Sequence, residues 1–163
     1  MISEKQYNET VKDFTRNVYR FVFKSVRDKE ATEDIVQDCF MKLWQNRTQV
    51  DASKARGWLF TVAHHAMINY LKIQNRNTTL DHVELKAAAA AKLPDFDLKE
   101  IIERSLLDLP PLQRSIILLR DLEGYNYKEI GEILQLGESQ VKVYLFRGRK
   151  KIKDSIKVLS AVI

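Results

Sequence analysis

Asn126-Tyr127-Lys128-Glu129-Ile130-Gly131-Glu132-Ile133-Leu134, then Gln135-Leu136-Gly137, then Glu138-Ser139-Gln140-Val141-Lys142-Val143-Tyr144-Leu145-Phe146-Arg147-Gly148 is the stretch that decides the fold. Asn126 is a good N-cap, and Glu129 three residues on completes a variant capping box, which predicts a short helix over Tyr127–Leu134. After the three-residue turn, a longer helix runs from Glu138 to at least Ile156. A short helix, a tight turn and a longer helix make a helix-turn-helix. Along the longer helix Val141, Leu145, Gly148, Ile152 and Ile156 recur as one buried stripe. The opposite face carries Ser139, Gln140, Lys142, Val143, Phe146, Arg147 and Lys150, flanked by Lys151 and Lys153. Lys and Arg there can neutralise phosphates, while Ser, Gln, Val and Arg can reach base edges in the major groove. The competing reading is a surface helix that is basic to balance its own C-terminal dipole. The short first helix, the turn length and the confinement of charge to the non-core face together favour DNA.

Upstream of this unit, Pro110-Pro111 separates two further helices. One starts at Leu98 and buries Ile101, Ile102, Leu106 and Leu109; the other runs from Leu112 to about Glu123 and is closed by Gly124. The N-terminal half predicts three more. Residues 3–28 place Tyr7, Val11, Phe14, Val18, Phe21 and Val22 at spacings of three and four. Thr32–Trp44 follows, started by Thr32 or Glu33, with Val36, Cys39, Phe40 and Leu43 inward. After a polar loop, Gln45–Ser53, a third helix spans about Lys54 to Gln74. Polar residues from Asn75, an alanine run and Pro94 then break the pattern and suggest a linker. No strand-like alternation and no internal repeat appear. The expected architecture is all-α, two small helical domains (1–76 and 98–163) joined by a linker (77–97).

Composition agrees. The chain has 163 residues with 5 Gly and 3 Pro, too few for a turn-rich sandwich or barrel. Its net charge of +5 resolves into +4 over 1–76, −4 over 77–136 and +5 over 137–163. Two basic ends suggest two contacts with a polyanion. A single cysteine, Cys39, excludes an internal disulfide framework. The longest apolar run, Ala87–Ala91, is too short for a bilayer, and Met1–Gln6 holds no signal core, so a cytoplasmic protein is expected. No Walker A, HExxH or nucleophile motif is present, and neither enzymatic activity nor a cofactor is expected.

Leu109-Pro110-Pro111-Leu112-Gln113-Arg114, Leu118–Tyr125 and Tyr127–Leu134, continued by Val141–Ile152, resemble region 4 of extracytoplasmic-function (ECF) sigma factors. Ala31–Trp44 resembles the polymerase-docking part of region 2, and Ala55–Ala63 its promoter-melting part. The resemblance covers nearly the whole chain in order. It implies that Asp34, Gln37, Asp38 and Met41 meet core RNA polymerase, a carboxylate–amide surface with one flexible apolar residue suiting a basic helix. A solvated acidic face is the plainer meaning of such residues. The resemblance also implies capture of melted −10 DNA by the third helix and the loop before it, and duplex reading of the −35 element by the last helix. Arg56, Lys72 and Arg76 are the phosphate candidates; Trp58 and Phe60 can stack on bases, although Trp58 suits the core better. An anti-sigma factor, often membrane-bound in the family, is implied on the same ground.

Some positions depart from the family pattern. His64-His65 stand where Arg-Asn is more usual; with Cys39 and His82 they raise a metal site, but adjacent histidines diverge by about 100° on a helix and are poorly placed to share one ion. Gly137, Gln140 and Tyr144 replace more usual Ser or Asn, Thr and Arg, which leaves the promoter sequence open. Two rivals remain. One is a stand-alone helix-turn-helix repressor or activator, which would need a dimer seam or receiver domain. The other is a helical enzyme using His64, His65 and Cys39, which lacks a clustered acid or base.

Overall fold

Each helix begins where a side chain satisfies its first backbone donors. In the computed structural model, which describes residues 1–77 and 97–161, Ser3 caps α1 (Glu4–Val26) in a reciprocal box with Gln6. The helix ends at Arg27, whose left-handed backbone (φ 57°) turns the chain. Asp28 then caps α2 (Lys29–Gln45), its carboxylate accepting from the Ala31 amide at 2.9 Å. The helix therefore starts before Thr32, which is buried and donates its hydroxyl to the Asp28 carbonyl at 2.7 Å. A 3-10 turn (Ala52–Lys54) capped by Asp51 leads into α3 (Ala55–Asn77), which ends three residues beyond the Gln74 that its sequence pattern indicates. Hydrogen bonds from the Ser53 backbone and hydroxyl hold the Asp51 carboxyl below its usual range.

The second half opens with α4 (Leu98–Leu107), capped by Asp97. Pro111 occupies the first turn of α5 (Pro111–Ile117), as proline's missing N–H and fixed φ favour. The predicted Leu112–Glu123 helix is not uniform: after Ile117 it widens into a π-helical turn, Leu118–Leu122, with the Glu123 amide bonded to the Leu118 carbonyl at 3.1 Å. Gly124 (φ 78°) stops it. Then come α6 (Tyr127–Leu134), with the Asn126–Glu129 capping box in place, and α7 (Glu138–Ala161). No strand occurs among the described residues. The linker proposed over 77–97 and His82 lie almost entirely outside them.

The helices form two bundles. α1 packs on α2 and α3 around Val18, Phe21, Leu43, Leu59 and Phe60. α7 packs on α4, α5 and α6 around Ile116, Leu119, Ile130, Val141 and Leu145. The bundles also touch each other, α3 against α6 and α1 against α4 and α5.

The helix-turn-helix corner depends on a close approach. The Leu136 amide bonds to the Gly131 carbonyl at 2.8 Å, and a Cβ added at Gly131 would lie 2.6 Å from the Leu136 carbonyl oxygen. At Gly148 an added Cβ would meet the Ile117 Cδ1 at 2.7 Å, the end of a side chain that can turn away. Gly131→Ala is therefore expected to cost about 2–3 kcal/mol in urea unfolding, and clearly more than Gly148→Ala.

Candidate polymerase and nucleic-acid interfaces

Val141, Leu145 and Gly148 of α7 are buried, so its other side faces outward. Ser139, Val143, Phe146, Arg147 and Lys150 are exposed there, Phe146 at 70%. Three residues expected on this face have other engagements. Gln140 Oε1 accepts from the Gly137 amide at 3.0 Å and so fastens the start of α7. Lys142 pairs with Glu138 at 3.9 Å and lies over the Tyr127 ring at 5.6 Å. Lys151 donates to the Asp108 carbonyl at 3.1 Å, beyond the end of α4. Arg149, across from them, pairs with Asp121.

On α2, Asp34, Gln37 and Met41 are exposed and line a groove of about 790 Å³ between α1 and α2. Its floor is aromatic. Tyr7 and Trp44 meet edge to face at 5.0 Å, and the Tyr7 hydroxyl donates to the Phe40 carbonyl at 2.9 Å. Arg47 covers the far side of Trp44, 3.9 Å from its ring centre. Asp38 stands apart, paired with Lys42 at 3.6 Å.

The residues proposed to meet melted DNA are divided. Lys72 and Arg76 are exposed near the end of α3. Phe60 is 0% exposed, edge-on to Phe21 at 5.3 Å and to Tyr125 at 5.8 Å, so in this arrangement it is a core residue and cannot stack on a base. Trp58 is half-buried against the core. Arg56 is not a free phosphate ligand: its Nη2 donates to the Glu123 carboxylate at 3.2 Å and to the Glu123 carbonyl at 3.0 Å, and its guanidinium lies 4.6 Å from the Tyr125 ring centre. Arg56 and Phe60 share one neighbour, because Tyr125 of the second bundle lies against both and Glu123 beside it holds Arg56.

That contact holds polar pairings that the motifs do not indicate. The Glu123 side chain is 0% exposed; it accepts from Asn17 Nδ2 at 2.9 Å and pairs with Arg20 at 3.0 Å as well as Arg56. An acid at the end of a helical segment opposes the helix dipole, the one signal that something else must hold it. Thr61 donates to the Ile133 carbonyl at 2.8 Å. Lys24 and Arg27 reach Glu103 at 3.3 and 3.4 Å; burial pushes the Glu103 carboxyl up, but these partners outweigh it and hold it below its usual range. The His64 Nδ1 lies 2.8 Å from the Ser115 Oγ. Burial, then the neighbouring His65, depresses the His64 imidazole to about 4. Cys39 is buried and pushed up to about 12, an unreactive thiol. Among the described residues no group of three or more His, Cys, Asp or Glu is arranged to hold a metal.

A helix-turn-helix with an exposed cationic and apolar reading face, joined to a three-helix bundle with an acid-rimmed aromatic groove, defines a two-part DNA-binding protein of transcription. Residues 10–77 match the family model for sigma-70 region 2, and residues 99–152 that for sigma-70 region 4. The ECF RNA polymerase sigma factor SigM of Bacillus subtilis is 31% identical over 150 residues, covering 90% of this chain and 92% of that protein. The ECF RNA polymerase sigma-E factor of Escherichia coli K12 is 26% identical, covering 96% and 89%. The solved sigma factor RpoE of Bartonella quintana, crystallised with the anti-sigma factor NepR, shares the fold with a TM-score of 0.74 at 21% identity, covering 94% of this chain and 98% of that one. The chain belongs to the ECF sigma factors of the sigma-70 family, which bind core RNA polymerase and direct it to specific promoters.

The buried imidazole makes a pH test of the contact. Neutral His64 contributes fully above its unfolded value near 6.5, and the contribution is lost as pH falls towards about 4. Between about pH 7 and about pH 5, wild type should lose about 2 kcal/mol more urea stability than His64→Gln. Parallel losses in the two proteins would contradict the burial.

Proposed function

We propose that the two halves divide promoter recognition at the residue level. The observation that carries this is the exposed row Ser139, Val143, Phe146, Arg147 and Lys150 on the helix-turn-helix, set opposite a buried stripe. Residues 98–163 read the −35 element as duplex: Arg147 reaches base edges, Val143 and Phe146 meet thymine methyls or sugars, and Lys150 neutralises phosphate. Residues 1–76 dock on polymerase through the α1–α2 groove with Asp34, Gln37 and Met41 at its rim. Asp38 supplies charge nearby. α3 captures the melted −10 strand once its face is free, with Arg56, Lys72 and Arg76 along the backbone.

Capture of extruded bases uses binding energy and needs no covalent step, so the chain contributes no catalysis of its own; polymerase is the enzyme. The site of action is the cytoplasm, where polymerase works. No helix among the described residues is long and apolar enough to cross a membrane. An anti-sigma factor is the expected antagonist. An apolar groove of about 550 Å³ between α4, α5 and α7, lined by Ile102, Ile117, Leu122 and Ile152, supports docking of its amphipathic helix.

The test is transcription in vitro from a genomic promoter library with purified core polymerase. Start sites that depend on this protein are expected; none, with a core that responds to another sigma factor, refutes the reading. Arg147→Ala should weaken upstream-element binding by roughly 1–3 kcal/mol and relax its sequence preference. Lys150→Ala should weaken all sequences alike and flatten the salt dependence by about one unit of slope.

A further inference from the structure

We infer that Ile2 is a positioning residue for strand capture: its buried side chain and its amide hold the loop between α2 and α3 in a shape that receives an extruded base. The inference rests on the reading of α3 and the loop before it as the part that captures melted DNA.

A loop that reads one unpaired base works through a few hydrogen bonds, and these weaken steeply once donor and acceptor lose alignment. Such a loop therefore needs support from outside itself. Residues 46–54 have ample internal support. Asn46 closes α2, its amide and its Nδ2 both bonded to the Lys42 carbonyl, at 3.0 and 2.8 Å. The Gln49 and Val50 amides return to the Asn46 carbonyl at 3.0 and 3.2 Å. Asp51 caps the 3-10 turn, and its carbonyl accepts from the Lys54 amide at 2.9 Å. All these bonds stay between Lys42 and Lys54. They shape the loop without fastening it to the rest of the bundle.

Ile2 supplies the fastening. Its amide donates to the Arg47 carbonyl at 2.7 Å. Its side chain is 1% exposed and belongs to the same core as Val50, the buried residue of the loop. Ile2 is itself held, because Ser3 next to it caps α1. Arg47 is fixed at its other end as well: its Nη1 donates to the Trp44 carbonyl at 2.7 Å, and its guanidinium lies on the Trp44 ring. The start of α1 thus clamps the middle of the turn. Thr48, Gln49, Asp51 and Ser53 are exposed on the outside of the loop, where their donors and acceptors can meet a base edge. Ile2 is sealed from any strand, so its influence on a base passes through the loop.

The test uses holoenzyme assembled from core polymerase and the full-length protein. A responsive promoter is made with each of the four bases in turn at each non-template −10 position, and initiation is measured on all of them. The readout is the ratio of best to worst base at a position, which does not depend on the fraction of active protein. Ile2→Ala should lower that ratio at one position by about three- to ten-fold, as loss of about one hydrogen bond would, and Ile2→Leu should restore it. Ile2→Pro keeps an apolar side chain but has no N–H to donate, and it should lower the same ratio. Co-elution with polymerase and binding of the −35 duplex should stay at wild-type levels, because their candidate residues lie elsewhere. Urea unfolding establishes that each variant folds. Thr48→Ala and Gln49→Ala probe the loop directly. If neither alters base preference at any position, the loop reading fails and the inference falls with it. If either does, while Ile2→Ala and Ile2→Pro keep the wild-type ratios, the role of Ile2 is overturned and the loop reading stands. Initiation lowered equally on every promoter, or loss of the fold in both variants, overturns it too, because Ile2 would then serve the bundle and not the loop.

Discussion

Glu123 is the point on which the arrangement of the two bundles turns. A carboxylate can leave water only where donors surround it, and its donors come from α1 and α3. The same guanidinium that neutralises it lies against the Tyr125 ring, and Tyr125 closes over Phe60. One buried charge thus ties together an ion pair, a cation–aromatic contact and an aromatic edge. Removing one partner of such a set costs more than the pair contributes, because the remaining charge stays buried and unpaired. The contact is a specific arrangement rather than a general adhesion of apolar faces.

The basic helix follows a different logic. Its inner stripe fixes its seat, its start is tied by Gln140 at the Gly137 amide, and its middle is tied by Lys151 at the Asp108 carbonyl. Residues that hold a helix in place and residues that read DNA share one surface here. Chemistry alone cannot separate them, since both jobs suit Lys and Gln. Geometry can: Val143, Phe146, Arg147 and Lys150 point outward with no ion pair among the described residues.

Much of the fold was legible in the sequence because it depends on local rules. The Asn126–Glu129 box, Pro111 in a first turn and Gly124 at a stop act within a few residues, and all three are where the pattern puts them. The start of α2 is ambiguous in the sequence because Asp28 and Thr32 are both able to cap, and in the structure Thr32 is buried behind Asp28. The engagement of Arg56 and Phe60 is hidden from the sequence for a different reason. Periodicity identifies an apolar or cationic face but not its partner, and theirs is a second bundle more than 60 residues away along the chain. His64 is buried for the same reason, and not on the surface or near DNA as its helix position suggests, since Ser115 carries no signal that it would face an imidazole.

The π-helical turn at Leu118–Leu122 has a consequence for how such a chain can change. A π turn is an α-helix holding one extra residue, and each residue advances a helix by about 100°. The bulge takes up that residue, so Leu118 and Leu119 sit in the core on one side of it and Glu123 reaches its cradle on the other. Wound as a regular α-helix, the same residues would carry Glu123 further round the axis and away from Asn17, Arg20 and Arg56. Where that carboxylate ends up thus depends on how the segment winds as well as on which residues compose it.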